Sequence, residues 1–352
     1  MLIEGIFAAV TTPFYSDERI YFRKLEANMA RYSRSLLAGM VVLGSTGEAP
    51  MLDDAETREV LRVAVGASAP EKVLIAGVGR ESVKATVELA EAAAELNYDA
   101  VLVRTSSYYA GQMSSAAVLH YFRSVADRSP LPVVLYNIPK CVPYQIPIEV
   151  VAELAAHPNI IGIKDSSGSV DRIREQVAAT RTAPQRTVTV TPIFEAVTAR
   201  MLVSKEGEGT ATFVSAGALA GGVAVASAPP VAPIKTRTKE VGFQVICGSA
   251  SAMLASLDEG ATGGILALGA CAPQACQEVY QAWKDHDAKL AEEKQKRIAG
   301  ANKRIVGDLG ISGVKYACDF NGYYGGRSRA PLLAVTAVEK IEIEGLLSEI
   351  RN

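Results

Sequence analysis

Short apolar runs and longer stretches of helical periodicity alternate along most of the chain. Residues 6–14, 40–43, 72–78, 100–104, 132–135, 159–163, 242–247 and 263–268 are brief and rich in Val, Ile, Leu and Ala. Runs of that length, bounded by polar turn residues, read as buried strands. Between them, residues 22–37, 54–66, 82–96, 115–127, 148–156, a segment from 170, and 251–257 carry apolar residues at helical spacing. Ser82 stands where an N-cap is wanted.

With an eighth helix beginning near Pro273, eight strands, each followed by a helix, predict an α/β fold of the (β/α)8 TIM-barrel type rather than an open doubly wound sheet. The latter would place a Gly-x-Gly-x-x-Gly at an early strand exit, and there is none. The barrel is assigned to residues 1–290, with a C-terminal helical extension over 291–352 packed on one flank. One stretch breaks the alternation. Residues 181–240 lie between the sixth helix and the seventh strand and are rich in Thr, Pro, Ala and Gly, including Ala228-Pro229-Pro230-Val231-Ala232-Pro233. Connections in such units usually run about 2–6 residues, so this is an insertion. A small domain, a partner-binding loop and a disordered segment are all readings of it, and the composition favours disorder or loose packing. A helix-to-strand connection lies on the N-terminal face of a barrel, away from the chemistry, so no catalytic group is expected from it.

Composition narrows the function classes. The chain has 352 residues, with 36 Lys and Arg against 38 Asp and Glu, a balance that suggests neither nucleic acid nor an anionic membrane as partner. Hydrophobic residues make up 49% and aromatics only 6%, so the core is built from aliphatic side chains. Cys141, Cys247, Cys271, Cys276 and Cys318 form no Cys-x-x-Cys pair, which points to reduced thiols and a cytoplasmic location, and away from a zinc or disulfide framework. The first residues enter a strand at once, without a leader-like segment, and residues 211–228 are too weakly apolar for a spanning helix.

In a barrel, chemistry gathers at the C-terminal strand ends. There the sequence places Ser45 and Thr46 after the second strand, Tyr109 after the fourth, Tyr136 at the end of the fifth and Lys164 at the end of the sixth. Lysine is seldom buried unpaired, and desolvation favours the neutral, nucleophilic amine. The plain alternative is a lysine paired with Asp165. An amine that forms a Schiff base with a keto acid needs a proton shuttle, for which Tyr136, backed by the hydroxyls of Ser45 and Tyr109, is suited. Gly44-Ser45-Thr46-Gly47 is a turn able to hold the keto acid's carboxylate on backbone N–H groups. Taken singly, such a turn is commonly just a turn, and tyrosines at strand ends are commonly rim or core aromatics. Cys141 has no His placed to activate it, since His120, His157 and His286 fall in helix bodies or ends, so neither a Cys/His nucleophile nor a metal site is supported.

Gly44-Ser45-Thr46-Gly47-Glu48, Tyr136-Asn137-Ile138-Pro139 and Gly162-Ile163-Lys164-Asp165-Ser166-Ser167-Gly168, in that order and at those strand exits, resemble the dihydrodipicolinate synthase/N-acetylneuraminate lyase family. Thr12-Pro13-Phe14, Tyr108-Tyr109 and Gly248-Ser249 agree, and the resemblance covers about residues 3–180 and 242–335. It implies a class I aldolase on a (β/α)8 barrel, a homotetramer built as a dimer of dimers, using no cofactor beyond a covalent pyruvate imine. Lys164 would be the Schiff-base lysine, Tyr136 the acid/base, Ser45 a relay hydroxyl and Thr46 the pyruvate-carboxylate site. Tyr109 would complete the relay of a neighbouring subunit, Gly248 would border the substrate, and Glu48 would be structural. In the synthase branch an Arg two residues beyond the Pro takes the carboxylate of aspartate semialdehyde. Here that position is Cys141, whose thiol cannot supply a guanidinium fork, and the adjacent Lys140 would substitute only as a point charge; Lys140 and Cys141 are the residues this loop offers for binding the second substrate. Phe320-Asn321-Gly322-Tyr323-Tyr324-Gly325-Gly326, followed by Arg327, Arg329, Ala330 and Pro331, resembles the 4-hydroxy-2-oxoglutarate aldolase branch. Pyruvate is thus the firmer half of the expected substrate pair, with a small aldehyde or 2-oxo acid as the other. Condensation with aspartate semialdehyde is the alternative activity, and a non-catalytic pyruvate-binding or scaffold protein the alternative of another class.

Overall fold

A computed structural model describes residues 1–203 and 235–350. In chain order its strands are β1 (Gly5–Ala9), β2 (Gly39–Val42), β3 (Val73–Gly77), β4 (Ala100–Arg104), β5 (Val133–Asn137), β6 (Ile160–Asp165), β7 (Arg186–Val190), β8 (Arg237–Val241), β9 (Gln244–Cys247) and β10 (Gly263–Leu266). Eight of them, β1 to β6 with β9 and β10, form a closed parallel barrel in which β10 pairs back onto β1. This is the (β/α)8 architecture that the alternation predicts. Its boundaries follow local chemistry. The first strand ends at Ala9 rather than residue 14, because Pro13 cannot donate to a ladder and Phe14 keeps only an isolated bridge to Ile20.

The helices are α1 (Phe22–Ser33), α2 (Asp54–Gly66), α3 (Val83–Glu95), α4 (Ser115–Ala126), α5 (Ile148–Leu154) and α6 (Val170–Ala179). After them come α7 (Ala199–Val203), α8 (Met253–Asp258), α9 (Leu268–Cys271), α10 (Pro273–Lys284), α11 (Ala288–Ala301), α12 (Gly310–Phe320) and α13 (Ala337–Leu347). Side-chain caps start several of them: Ser82 accepts from Ala85 N–H, Ser114 from Ala117, Ser169 from Arg172, and Asp53 with Glu56 closes a capping box on α2.

Two apolar layers follow from strand alternation. Phe7, Ile75, Leu102, Val134, Ile246 and Ile265 fill the barrel interior. Ile6, Leu74, Val101 and Leu135 point outward into the larger core shared with the helices, which also takes in Val314 and Cys318 of α12 and Ile343 and Leu347 of α13. β6 departs from strict alternation. Val133 of β5 pairs with Ile160, but the next residue, Val134, pairs with Gly162, so β6 carries one extra residue. Ile161 therefore faces the interior, Ile163 the helices, and Lys164 the interior again. Without that bulge residue 163 would face inward and Lys164 would point at the helices. Gly162 sits at the bulge because a Cβ there would lie 2.3 Å from the Gln244 carbonyl oxygen.

The ends of the 181–240 insertion are packed against the barrel, which corrects the expectation of loose packing for them. β7 and β8 pair antiparallel, and Val188 and Val190 bury against Leu2. Arg186 donates to the carbonyls of His157 (2.8 Å) and Ile160 (2.6 Å). Ala199 N–H caps the buried carboxylate of Asp99 at 3.0 Å, and Lys239 pairs with Glu4. These contacts are all on the N-terminal face. The central part of the insertion, including the 211–228 run, lies outside the described residues. No helix among the described residues is long and apolar enough to cross a membrane. None of the five cysteines is in a disulfide, and Cys141 alone among them is exposed.

Candidate active site

Arg104, Tyr136 and Lys164 are register partners on the adjacent strands β4, β5 and β6, so the three side chains leave the backbone at one level of the barrel mouth. Lys164 is 4% exposed and Tyr136 5%. The ammonium of Lys164 lies 4.3 Å from the centroid of the Tyr136 ring, a cation–π contact inside the barrel. The Tyr136 hydroxyl is 3.5 Å from Ser45 Oγ. Lys164 is not paired with Asp165. That carboxylate faces the other side of β6 and accepts from Asn137 Nδ2 (2.8 Å), Arg172 Nε (3.0 Å), Gln176 Nε2 (2.7 Å) and Ser167 N–H (2.8 Å). Asp165 thus ties the exits of β5 and β6 to α6 and leaves the amine to the interior.

The Ser45–Thr46 turn is a single 3-10 turn held in an uncommon backbone. Leu43 (φ 61°) and Glu48 (φ 54°), neither of them glycine, bracket it in the left-handed region. Gly47 N–H closes the turn on Gly44 O at 3.0 Å, and Thr12 Oγ1 donates to Gly47 O at 2.6 Å. The N–H groups of Ser45 and Thr46 precede that first hydrogen bond, which leaves them available to an anion. Glu48 is held from the far end of the chain: its fully buried carboxylate pairs with the equally buried Lys315 of α12 and accepts Arg329 N–H at 2.8 Å. Lys315 also donates to Arg327 O (2.7 Å) and lies 4.3 Å from the Phe14 ring. Gly77 is required here, since a Cβ would meet Leu43 O at 2.0 Å.

Tyr109 stands outside this cluster. It is 62% exposed, and its ring packs edge-on against that of Tyr108, itself 81% exposed, at 5.1 Å. The loop carrying the pair is pinned by Glu81, whose carboxylate accepts from the N–H groups of Ser107 (2.9 Å) and Tyr108 (3.0 Å), from both serine hydroxyls, and from Arg104 (2.9 Å). Partial burial alone would raise its pKa. The Tyr108 and Ser107 N–H groups, with Arg104 and Ser106, outweigh that and bring it down to about 2. The loop's restraint is therefore complete above about pH 4.5, the ordinary value, and is lost as pH falls toward 2. In Glu81→Gln, fast amide exchange at Ser107 and Tyr108 is expected already at neutral pH, whereas the unaltered protein should protect both down to mildly acid pH. Equal protection in the two proteins would show that the carboxylate does not order the loop.

The remaining expected residues are less central. Lys140 and Cys141 are both exposed on the rim, and Cys141 N–H closes a turn on Ile138 O (3.0 Å). Gly248 has its N–H committed to Asp165 O at 2.7 Å, and a Cβ would fall 2.0 Å from Ser166 Oγ, so close strand-exit packing accounts for the glycine. Arg104, Glu81 and Lys315 are the polar groups at this mouth that the spacing of motifs does not reveal. A small cavity runs from Ser45 and Tyr136 past Gly77 and Gly79 to Arg104.

Fold and site together define a (β/α)8 barrel whose mouth holds a buried lysine beside a tyrosine–serine pair. The chain belongs to the Dihydrodipicolinate synthetase family, which it matches over residues 2–215 and 223–350. It is 36% identical over 180 residues to 4-hydroxy-tetrahydrodipicolinate synthase of Methanococcoides burtonii, an alignment covering 51% of this chain and 60% of that protein. A synthase of the same name from Methanothrix thermoacetophila aligns along 100% of this chain and 98% of its own length at 25% identity. A "probable 4-hydroxy-2-oxoglutarate aldolase, mitochondrial" of Emericella nidulans is 36% identical over 185 residues, 50% of this chain and 59% of that one. The stronger identities thus span about three fifths of those relatives. Among solved structures, a dihydrodipicolinate synthase from Bacillus anthracis superposes with a TM-score of 0.77 at 23% identity over 99% of both chains. A prophage protein of E. coli K12, crystallised with pyruvate, gives the same TM-score, identity and coverage. These two likenesses are of fold.

Proposed function

We propose that the protein is a class I lyase that makes or cleaves a C–C bond at the methyl carbon of pyruvate through an imine on Lys164. The observation that carries this reading is the buried Lys164 ammonium 4.3 Å from the Tyr136 ring, with Ser45 Oγ 3.5 Å from the Tyr136 hydroxyl. The amine of Lys164 adds to the keto carbon. The carbinolamine oxygen leaves as water once protonated, giving a protonated imine, and a base at the mouth then removes a proton from the acidified methyl carbon to give an enamine. That carbon attacks an aldehyde, whose oxygen takes up a proton, and water releases the product. Each proton needs a donor or acceptor at the mouth, and Tyr136 with Ser45 behind it is placed for the work. Thr46 and its turn would hold the pyruvate carboxylate. No metal or organic cofactor has a part in this scheme. Tyr109, exposed on its own subunit, would serve a neighbour's site in a homotetramer. Replacing Tyr136 by Phe is expected to lower kcat by about 10²–10⁴-fold while pyruvate still binds; unchanged turnover would remove Tyr136 from the proton path.

For the second substrate we favour a 4-hydroxy-2-oxo acid such as 4-hydroxy-2-oxoglutarate, cleaved to pyruvate and a carboxylate-bearing aldehyde. Support comes from Cys141, which cannot offer the fork expected for aspartate semialdehyde, and from the aldolase named among the relatives. The synthase reading draws on the relative aligned over its whole length. The test is to measure cleavage of 4-hydroxy-2-oxoglutarate beside condensation of pyruvate with aspartate semialdehyde, in the protein and in Cys141→Arg. Faster condensation than cleavage would reverse the choice. Capture of pyruvate with turnover of neither substrate would favour a binding protein.

A further inference from the structure

Arg104 is a guanidinium set into the mouth of the barrel and absent from the reaction scheme above. It ends β4, in register with Tyr136, which is in register with Lys164. Its neighbours on the strand fix the direction it takes: Ala100 and Leu102 face the interior, Val101 and Val103 the helices, and so the fifth residue faces inward. The side chain is only 20% exposed. Gly79 makes room for it, since a Cβ on that residue would fall 2.7 Å from Arg104 Cγ and 2.6 Å from its N. The cavity that touches Ser45 and Tyr136 ends on Arg104.

The guanidinium is anchored and not exhausted. NH1 donates to Glu81 Oε1 and to the Thr105 carbonyl, each at 2.9 Å, whereas Nε and NH2 make no hydrogen bond among the described residues. A group held by one nitrogen, with two more donors beside the reacting centre, is arranged for a planar anion. Arg104, Lys140 and Lys164 all act on the Cys141 thiol electrostatically, so positive charge gathers where the second substrate must enter. Glu81 is the acidic group facing Arg104, and its carboxylate is already shared among five donors.

We propose that Arg104 is the specificity-determining residue for the second substrate, binding the carboxylate of an aldehyde such as a 2-oxo aldehyde acid in the role that Cys141 cannot fill. The proposal rests on the pyruvate-imine reading and extends it to the other half of the reaction. Arg104 holds the incoming aldehyde with its carboxylate on the β4 side, so that its carbonyl carbon lies toward the enamine on Lys164.

The test compares condensation of pyruvate with glyoxylate, which carries a carboxylate, and with acetaldehyde, which does not, in the full chain and in Arg104→Leu, Arg104→Lys and Glu81→Gln. Borohydride trapping of pyruvate on Lys164 runs alongside. In Arg104→Leu the ratio of kcat/KM for glyoxylate over acetaldehyde is expected to fall about 10- to 100-fold, through a higher KM for glyoxylate, with pyruvate trapping retained. Arg104→Lys should fall in between, and Glu81→Gln should change both aldehydes together. An unaltered ratio in Arg104→Leu, or equal losses on both aldehydes, overturns the proposal and leaves the imine chemistry standing. Failure of the unaltered protein to trap pyruvate overturns the imine reading and this proposal with it.

Discussion

Borohydride added to the protein with pyruvate is expected to leave a stable secondary amine on Lys164, and Lys164→Ala is expected to reduce turnover to the uncatalysed level. The reason is chemical rather than structural. The imine nitrogen is the electron sink that lets the methyl carbon of pyruvate act as a nucleophile, and no other amine among the described residues shares the interior layer with Tyr136. Lys315 is the informative control, being a second buried lysine. Its ammonium is bound to Glu48 and to Arg327 O, so it should remain unmodified. Peptide mapping after reduction distinguishes the two. A label on Lys315, or full activity in Lys164→Ala, would end the imine mechanism.

Lys315→Met is expected to cost about 3–5 kcal/mol of folding stability, read from urea denaturation, because it leaves the Glu48 carboxylate buried with no countercharge. Met fills similar volume, so the loss reports the orphaned charge rather than a cavity. Glu48→Gln with Lys315→Met together should recover part of it, since no unpaired charge remains. There is a functional companion to this loss. Glu48 holds the strained backbone that aims Ser45 and Thr46, so the single variant should also raise the KM for pyruvate even where it remains folded. A stability change under about 1 kcal/mol would mean that water reaches the pair and solvates it.

Much of the site is legible in the sequence for one reason: barrel chemistry sits at strand exits, and exits can be counted. Lys164, Tyr136 and Ser45 follow from strand order, and the structure brings those three together. What escapes counting is pairing over long separation. Glu48 reads as structural from the resemblance, but nothing in the sequence names Lys315 as its partner until α12 closes on the β2 exit. Glu81 is one acid among many on a helix approach until the loop after β4 folds over it. Arg104 is the last residue of a strand, and nothing local says whether it faces solvent, helix or mouth. The two-stranded sheet at the ends of the insertion is missed by the composition reading, although Arg186–Val190 alternates polar and apolar residues, a strand signal that the surrounding Thr-, Pro-, Ala- and Gly-rich text outweighs. Its partner, Arg237–Val241, has no such alternation and is a strand only because β7 lies beside it.

The extra residue in β6 means that the helix layer and the barrel lumen parse the same strand in different frames. Up to Ile161 the odd-numbered positions are inside; from Ile163 onward the even-numbered ones are. Whether the amine or its neighbouring acid meets substrate is therefore decided by the bulge, upstream of any side-chain contact. Straightening the bulge with its residue count kept would leave both functional side chains in the polypeptide and exchange their destinations, presenting Asp165 to the lumen and Lys164 to Arg172 and Gln176, whereas deleting Gly162 would restore strict alternation and keep Lys164 inside. The straightened chain could still close its barrel, and it would have lost its nucleophile without losing the lysine.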